Sequence, residues 1–119
     1  MKLEIEFAWR LRHFANTTGR SWKPRAGDAK RLRSKVGWHL LTLGRRRPAL
    51  PCQVTITRLA PRRYDSDNMV HAGKHVRDEI AEWLGVDDRH DDRVLYLYRQ
   101  EFSREYRVRI TFEDRKPGE

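Results

Sequence analysis

The sequence has no long apolar segment, and this absence limits the kind of protein that it encodes. No uninterrupted apolar run approaches the roughly 20 residues that a membrane-spanning helix needs. Residues 1–7 alternate charged and apolar side chains, which is typical of a strand and unlike the apolar core of a signal peptide. We therefore expect a cytoplasmic protein with no membrane partner.

Disulfides and glycine-rich loops are missing as well. Cys52 is the only cysteine among the 119 residues, so no internal disulfide can form. Its place at the edge of a strand-like segment indicates a reduced, structural thiol, in agreement with a cytosolic location. The glycines are scattered along the chain, which excludes a Gly-rich loop of the kind that cradles phosphates. No serine or cysteine has the partner pattern that a catalytic nucleophile needs.

Acidic residues are scarce in the first half of the chain. Residues 1–63 hold 16 Lys and Arg residues against three acids, a net charge of +13, whereas residues 64–119 hold 10 against 14, a net charge of −4. A basic half beside an acidic half indicates a surface for a polyanion next to a site that needs carboxylates. Nucleic acid is the leading polyanion, because neutralisation of phosphates drives its binding regardless of sequence.

Hydrophobic periodicity predicts one α+β domain over residues 1–113, followed by a flexible tail at residues 114–119. Alternating or β-branched segments predict four strands, at residues 2–7, 53–59, 94–98 and 106–112. Helical spacing of apolar residues predicts two helices, at residues 29–43 with Asp28 as N-cap and at residues 69–84 with Gly85 as the stop. The order is β-α-β-α-β-β, with residues 100–105 joining the last two strands. We expect the two helices to pack against a four-stranded mixed sheet.

Cations cluster in two parts of the basic half. Residues 9–27 interleave cations with aromatic side chains, a composition that suits contact with phosphates and unstacked bases. The same aromatics would equally serve to hold this loop against the core. Residues 45–47 follow the first predicted helix, where cations also suit the helix dipole. The candidate DNA contacts from these clusters are Lys23, Arg25, Arg45, Arg46 and Arg47.

The densest group of functional side chains is Arg-Arg-Tyr-Asp-Ser-Asp-Asn at residues 62–68, just before the second predicted helix. Asp65 and Asp67 place two carboxylates close together, and their repulsion disfavours ionising both unless a cation neutralises them. Mg²⁺ suits such a pair, because it binds one or two carboxylates, keeps several waters and completes its shell with phosphate oxygens. Arg62 and Arg63 suit the same phosphate. The alternative is that Asp67, or the asparagine after it, only caps the helix while Asp65 is a solvated loop residue.

Helical spacing extends this group along one polar stripe of the second predicted helix. The residues of the stripe are Asp67, His71, Lys74 and Asp78. His71 suits acid–base work near neutral pH, and the alternatives are an exposed histidine without a role and an ordinary wet helix face. His71 and His75 are four residues apart and would bind Zn²⁺ with a third ligand such as His90 or an aspartate. Zinc is the less favoured metal, because the pair lacks an intervening glutamate and a cysteine partner.

The segment from Arg62 to Val94 resembles the RusA-type Holliday junction resolvases, which are small, dimeric, Mg²⁺-dependent endonucleases of bacteria and their prophages. The resemblance rests on Arg-Arg-Tyr-Asp-Ser-Asp-Asn, a helix of fitting length and the following Leu-Gly-Val-Asp-Asp. The chain length and the order of elements match as well, so the likeness extends over residues 1–113. It implies a RusA-like fold and a role in DNA recombination and repair.

The resemblance implies a set of metal ligands. Asp65 and Asp67 match two aspartates that bind the metal in this family, and Asp88 matches the third. Asp91 and Asp92 form a second acidic pair, so either of them is an alternative third ligand.

Further roles follow from the same resemblance. Arg62 and Arg63 match basic residues that contact the junction. His71 occupies the position of a catalytic lysine, and Lys74, one turn later on the same stripe, is its closest replacement. The Pro-rich, Asn-bearing segment that follows the first strand in the family is absent here, which bears on substrate preference more than on the chemistry.

The implied function is resolution of four-way DNA junctions by a homodimer that uses Mg²⁺, with Mn²⁺ as a substitute. Two symmetric nicks require two acidic sites on a shared basic face, and a two-fold dimer provides them. Two alternatives stay open. One is a non-catalytic basic module that binds nucleic acid, and the other is a metal-dependent nuclease that cuts flaps, forks or RNA.

Overall fold

The computed structural model describes residues 2–12, 22–86 and 92–115, and the side chains of residues 22–26 are not part of this description. Within these ranges the strands are β1 (Lys2–Ala8), β2 (Cys52–Ala60), β3 (Val94–Phe102) and β4 (Arg107–Asp114). The helices are α1 (Trp22–Leu41), α2 (Ser66–Ala72) and α3 (Lys74–Leu84). The predicted single α+β domain with a four-stranded mixed sheet is thereby confirmed, with three helices in place of two.

The order of strands across the sheet is β1-β4-β2-β3. Strand β4 is antiparallel to both β1 and β2, and β2 is parallel to β3. Strands β1, β2 and β3 therefore run in one direction. We call the edge where they end, at Ala8, Ala60 and Phe102, the carboxyl edge, and the edge where they begin the amino edge.

The helices pack on one face of the sheet, and the core lies between the two layers. Ile5, Ile56 and Ile110 are in register on this face, where they meet Val36 of α1 and Ile80 of α3 in one buried cluster. Complete burial of each such side chain contributes about 1.5–3 kcal/mol to folding. Alternation along the strands puts polar residues on the other face, where Arg109 of β4 pairs with Glu6 of β1 and Glu101 of β3.

Helix α1 begins at Trp22, several residues before the predicted start, so Asp28 lies inside the helix and is not its N-cap. The carboxylate of Asp28 instead pairs with Arg31, one turn later. Apolar periodicity did not reveal the first turns, because it begins only at Ala29. Pro24 fits the first turn of α1, where a backbone N–H has no helical partner to lose.

The second predicted helix begins at Ser66 and is divided at Gly73 into α2 and α3. Gly73 has φ −85° and ψ −4°, and a Cβ atom there would lie 2.7 Å from Cε1 of Tyr98 in β3. The missing side chain therefore lets the Tyr98 ring approach the helix. Met69, Val76 and Ile80 are buried as the spacing predicted, and Trp83 and Leu84 are half-buried.

The ends of β3 and β4 differ most from the predicted strand boundaries. Strand β3 continues to Phe102, because it pairs with β2 over the whole length of β2, so only a short turn joins it to β4. Strand β4 includes Asp114, the first residue of the predicted tail, and the next residue, Arg115, donates its N–H to the carbonyl of Pro51. Residues 116–119 lie outside the described ranges.

No helix in the described part of the chain combines the length and the apolar character that crossing a membrane requires.

Candidate functional site

Asp65 and Asp67 lie at the carboxyl edge, directly beyond the end of β2. Asp65 occupies the N-cap position of α2 with an extended backbone, φ −62° and ψ 156°, and its side chain makes no capping hydrogen bond. Asp67 lies in the first turn of α2, where a negative charge suits the helix dipole. Neither Asp67 nor Asn68 is the N-cap, so that part of the alternative is wrong, whereas the exposed Asp65 side chain agrees with a solvated residue.

Both carboxylates are exposed, and neither makes a hydrogen bond or an ion pair with a described residue. Two neighbouring acids without a partner are a hard oxygen donor set that fits a partly hydrated divalent cation such as Mg²⁺. The described ranges contain no group of three or more His, Cys, Asp or Glu side chains that could hold a metal ion together. Of the predicted ligands, the structure thus brings together only Asp65 and Asp67.

The third predicted ligand, Asp88, lies outside the described residues, as does Asp91. The other alternative, Asp92, is exposed at the amino edge, where the neighbouring Arg93 accepts a hydrogen bond of 2.8 Å from the N–H of Cys52. The nine residues of β2 separate this point from the carboxyl edge, a span of about 25–30 Å at the usual rise of a strand. In a single chain, Asp92 therefore cannot share an ion with Asp65.

The polar stripe of the second predicted helix continues across Gly73, from α2 into α3. The N–H of Gly73 donates to Met69 and the N–H of Arg77 donates to Gly73, so hydrogen bonding of α-helical type continues through the junction. His71 and Lys74 are both exposed and follow Asp67 at helical spacing. These two side chains are therefore available to a substrate bound at Asp67.

The histidine pair does not form a zinc site with a described third ligand. His71 is exposed, whereas His75 is partly buried and lines a shallow groove of about 510 Å³ beside Lys30 and Glu79. Burial, with help from Lys74 and Arg33, holds the pKa of His75 below its ordinary value against the opposing effect of Asp78. His90 lies outside the described residues.

Four exposed arginines lie at the same carboxyl edge as the acidic pair. Arg62 and Arg63 lie in the loop between β2 and α2, as the sequence predicted. Arg10 and Arg12 follow β1 and reach the same edge, because β1 runs parallel to β2. The sequence analysis included both arginines in the basic loop at residues 9–27. Only the strand order shows that they lie at the same edge of the sheet as Asp65.

The predicted DNA contacts at residues 45–47 lie away from the acidic pair, in the turn after α1. Arg46 and Arg47 donate hydrogen bonds to the carbonyls of Leu43 and Gly44, at 3.2 and 2.9 Å, and so satisfy the turn that follows α1. Arg47 also lies 4.0 Å from the ring centroid of Trp83, near the end of α3 and hence far from Asp65. Arg45 is exposed in the same turn. Lys23 and Arg25 belong to the first turn of α1, and their side chains are not described.

A groove of about 680 Å³ opens beside the acidic pair, between α2 and β3. Its walls are formed by Ser66, Met69 and Val70 on one side and by Tyr96, Tyr98 and Gln100 on the other. Burial raises the pKa of Tyr98, so its hydroxyl stays protonated and polar. Arg63 and Tyr64 line the end of the groove next to Asp65.

Sequence reasoning missed one buried polar cluster, formed by Arg58, Tyr64 and Gln100. Arg58 is only 3% exposed, and its guanidinium lies 3.5 Å from the ring centroid of Tyr64. The residue was detectable, because alternation along β2 puts Arg58 on the same face as Val54 and Ile56, where a cation is unexpected.

Neither a scan against protein-family models nor a search of curated proteins finds a match for the chain. The functional assignment therefore depends on the chemistry of the carboxyl edge. Exposed carboxylates among exposed arginines can hold a hydrated cation against a phosphate that the arginines also bind.

Proposed function

We propose that the protein is a Mg²⁺-dependent, structure-selective DNA endonuclease that resolves four-way junctions by paired, symmetric cleavage of phosphodiester bonds. One observation carries the proposal: two exposed aspartates without a described partner lie at the carboxyl edge among arginines from two strand ends. The resemblance of residues 62–94 to RusA-type resolvases supports the same activity.

In this proposal the aspartates bind the metal ion and the arginines bind phosphates. Asp65 and Asp67 would hold Mg²⁺, or Mn²⁺ in its place, and the bound ion supplies an activated water and neutralises charge on the phosphate. Arg62 and Arg63 bind the phosphates on either side of the cleaved bond, where planar guanidinium groups match phosphate geometry. Arg10 and Arg12 extend this phosphate-binding surface beyond β1.

The polar stripe along α2 and α3 contains a cation, Lys74, and an acid–base group, His71. Lys74 is a mobile point cation that neutralises charge developing on the departing oxygen. His71 would serve as a general acid or base toward the bound phosphate or its attacking water. Because both follow Asp67 at helical spacing, they approach the phosphate from one side.

The proposed active form is a homodimer. Resolution of a junction needs two cuts, and a two-fold dimer presents two equivalent sites. Asp88 stays the third ligand on the strength of the resemblance. Asp92 would reach the acidic pair only from a second copy of the chain, because it lies at the amino edge of its own.

Replacement of Asp67 by Asn tests the role of the acidic pair. We expect nicking of a labelled four-way junction in Mg²⁺ to fall by at least about 100-fold, as when a group that stabilises transition-state charge is lost. The matched control is Glu105→Gln, which removes an exposed negative charge near the same edge and should leave nicking unchanged. Equal nicking by wild type and Asp67→Asn would contradict the assignment.

A second function competes with this one. The basic half of the chain, with a net charge of +13 over residues 1–63, would alone suffice for a module that binds nucleic acid without cutting it. That function predicts tight junction binding with no cleavage in Mg²⁺ or Mn²⁺. Cleavage of flaps, forks or RNA in preference to junctions would instead indicate a nuclease of different specificity.

A further inference from the structure

Arg58 is a buried cation directly beneath the loop that carries the aspartates. It lies on the helix-covered face of β2, in register with Val108 of β4 and Gln100 of β3. Its guanidinium donates hydrogen bonds to the carbonyls of Arg62 and Leu11, at 2.6 and 3.4 Å. No carboxylate in the described ranges pairs with it. A buried charge with only neutral partners is costly, so the groups that bond to Arg58 must be held close to it.

Gln100 forms two hydrogen bonds with the backbone of Tyr64, the residue that precedes Asp65. Its side-chain oxygen accepts a hydrogen bond of 2.6 Å from the N–H of Tyr64, and its amide nitrogen donates one of 2.8 Å to the carbonyl of Tyr64. The same oxygen lies 3.4 Å from Nη1 of Arg58. Strand β3 thus holds the loop after β2 through both backbone polar groups of one residue, Tyr64.

The side chain of Tyr64 completes the arrangement. Its hydroxyl donates a hydrogen bond of 3.0 Å to the carbonyl of Leu11, beyond the end of β1, and its ring packs against the guanidinium of Arg58. We call Arg58, Tyr64 and Gln100 the loop clamp. The clamp ties together the ends of β1, β2 and β3, and the next residue along the chain is Asp65.

We propose that Arg58 and Gln100 are positioning residues that, through Tyr64, fix the carboxylate of Asp65 in the orientation that binds the divalent ion. This inference rests on the proposed function. The side chain of Asp65 makes no hydrogen bond or ion pair with a described residue, so its orientation depends on its backbone. Groups that orient a metal ligand without touching the metal affect its affinity about 10–100-fold when they are lost.

Metal affinity measured without DNA tests the clamp. The probe is Mn²⁺, followed through the electron paramagnetic resonance of the unbound ion, and the variants are Arg58→Met and Gln100→Met. We expect each variant to raise the dissociation constant of Mn²⁺ about 10-fold. The matched control is Arg109→Met, which removes an arginine with two ion pairs from the opposite face of the sheet and should leave the affinity unchanged.

A conservative variant separates positioning from general stability. Gln100→Glu keeps an acceptor for the N–H of Tyr64 but loses the donor to its carbonyl, so it should recover part of the affinity that Gln100→Met loses. Hydrogen exchange of the Tyr64 amide should be fast in Gln100→Met and slow in Gln100→Glu. If the methionine variants do not fold, Tyr64→Phe and Gln100→Glu take their place. Tyr64→Phe removes the hydroxyl that donates to Leu11, and the Mn²⁺ affinity of both variants then tests the clamp.

The outcomes distinguish failure of the clamp from failure of the proposed function. Folded clamp variants with Mn²⁺ affinity within twofold of wild type would overturn the clamp. A wild type that binds Mn²⁺ but cuts no DNA would overturn the proposed function, and the affinities would still decide the clamp. A wild type that binds no Mn²⁺ would overturn both.

Discussion

Asp65 and Asp67 are the residues on which the functional account depends. Their carboxylates lie exposed at the end of β2, and the described part of the protein offers neither a hydrogen-bond donor nor a cation in contact with them. Two like charges so placed repel each other, and a bound cation relieves that repulsion. The same geometry links the site to stability, because an ion that binds only the folded state stabilises it.

Thermal unfolding with and without Mg²⁺ measures this linkage. At a Mg²⁺ concentration of about 100 times the dissociation constant, we expect the wild type to gain about 2.7 kcal/mol of stability over the protein in EDTA. Asp67→Asn should lose most of the gain. An equal gain in the wild type and in Asp67→Asn would place the ion at another site.

Residue patterns predicted part of this site. The pair Asp65 and Asp67 was predicted from the chain, whereas the cation at Arg58 on an apolar strand face was detectable but was not singled out. The partners of Arg58 were not visible, because Leu11 and Gln100 are 47 and 42 residues away along the chain. Only the packed structure brings them together.

Among the elements, the α2–α3 junction holds a glycine whose neighbour is distant in the sequence. Periodicity predicts a continuous helix there, and hydrogen bonding of α-helical type does continue through Gly73. The need for glycine at this position comes from β3, where the ring of Tyr98 occupies the space that a side chain at position 73 would need. The start of α1 was not predicted, because its first turns have no apolar repeat.

Gly73→Ala tests that packing. Alanine favours a helix by about 1 kcal/mol over glycine, but the contact with Tyr98 should outweigh this gain and make the variant less stable by about 1–3 kcal/mol. Urea denaturation gives the difference. The control is Gly37→Ala in α1, where the nearest atom to the new Cβ is Oε1 of Glu79 at 3.6 Å, so a stabilisation of about 0.5–1 kcal/mol is expected. A Gly73→Ala variant as stable as Gly37→Ala would contradict the packing argument.

At the scale of the whole molecule, strand order decides which predicted residues meet. The parallel course of β1, β2 and β3 brings Arg10, Arg12, Arg62 and Arg63 to the same edge of the sheet as the aspartates. The same course leaves Asp92 and residues 45–47 away from them. The sequence predicted the elements and the acidic pair, but strand order depends on long-range pairing that no local pattern contains.

The fold as a whole should lose stability in mild acid. Burial lowers the pKa of both His39, which stacks on Phe7, and His75, from the ordinary value of 6.5. Because the folded state takes up these protons less readily than the unfolded chain, its stability is complete above about pH 6.5 and falls as the pH drops below that value. Urea denaturation at about pH 7 and about pH 5.5 should show the loss, and His39→Gln with His75→Gln should reduce it. An unchanged loss in the double variant would assign it to other groups.

Mapping of cleavage on a synthetic four-way junction tests the central claim most directly. Each of the four strands is labelled in turn, and linear duplex and forked DNA are tested beside the junction, in Mg²⁺ and in EDTA. The account predicts cuts at symmetric positions in two opposing strands of the junction, dependent on Mg²⁺, with the duplex and the fork left intact. Binding of the junction without any cut in Mg²⁺ would contradict it.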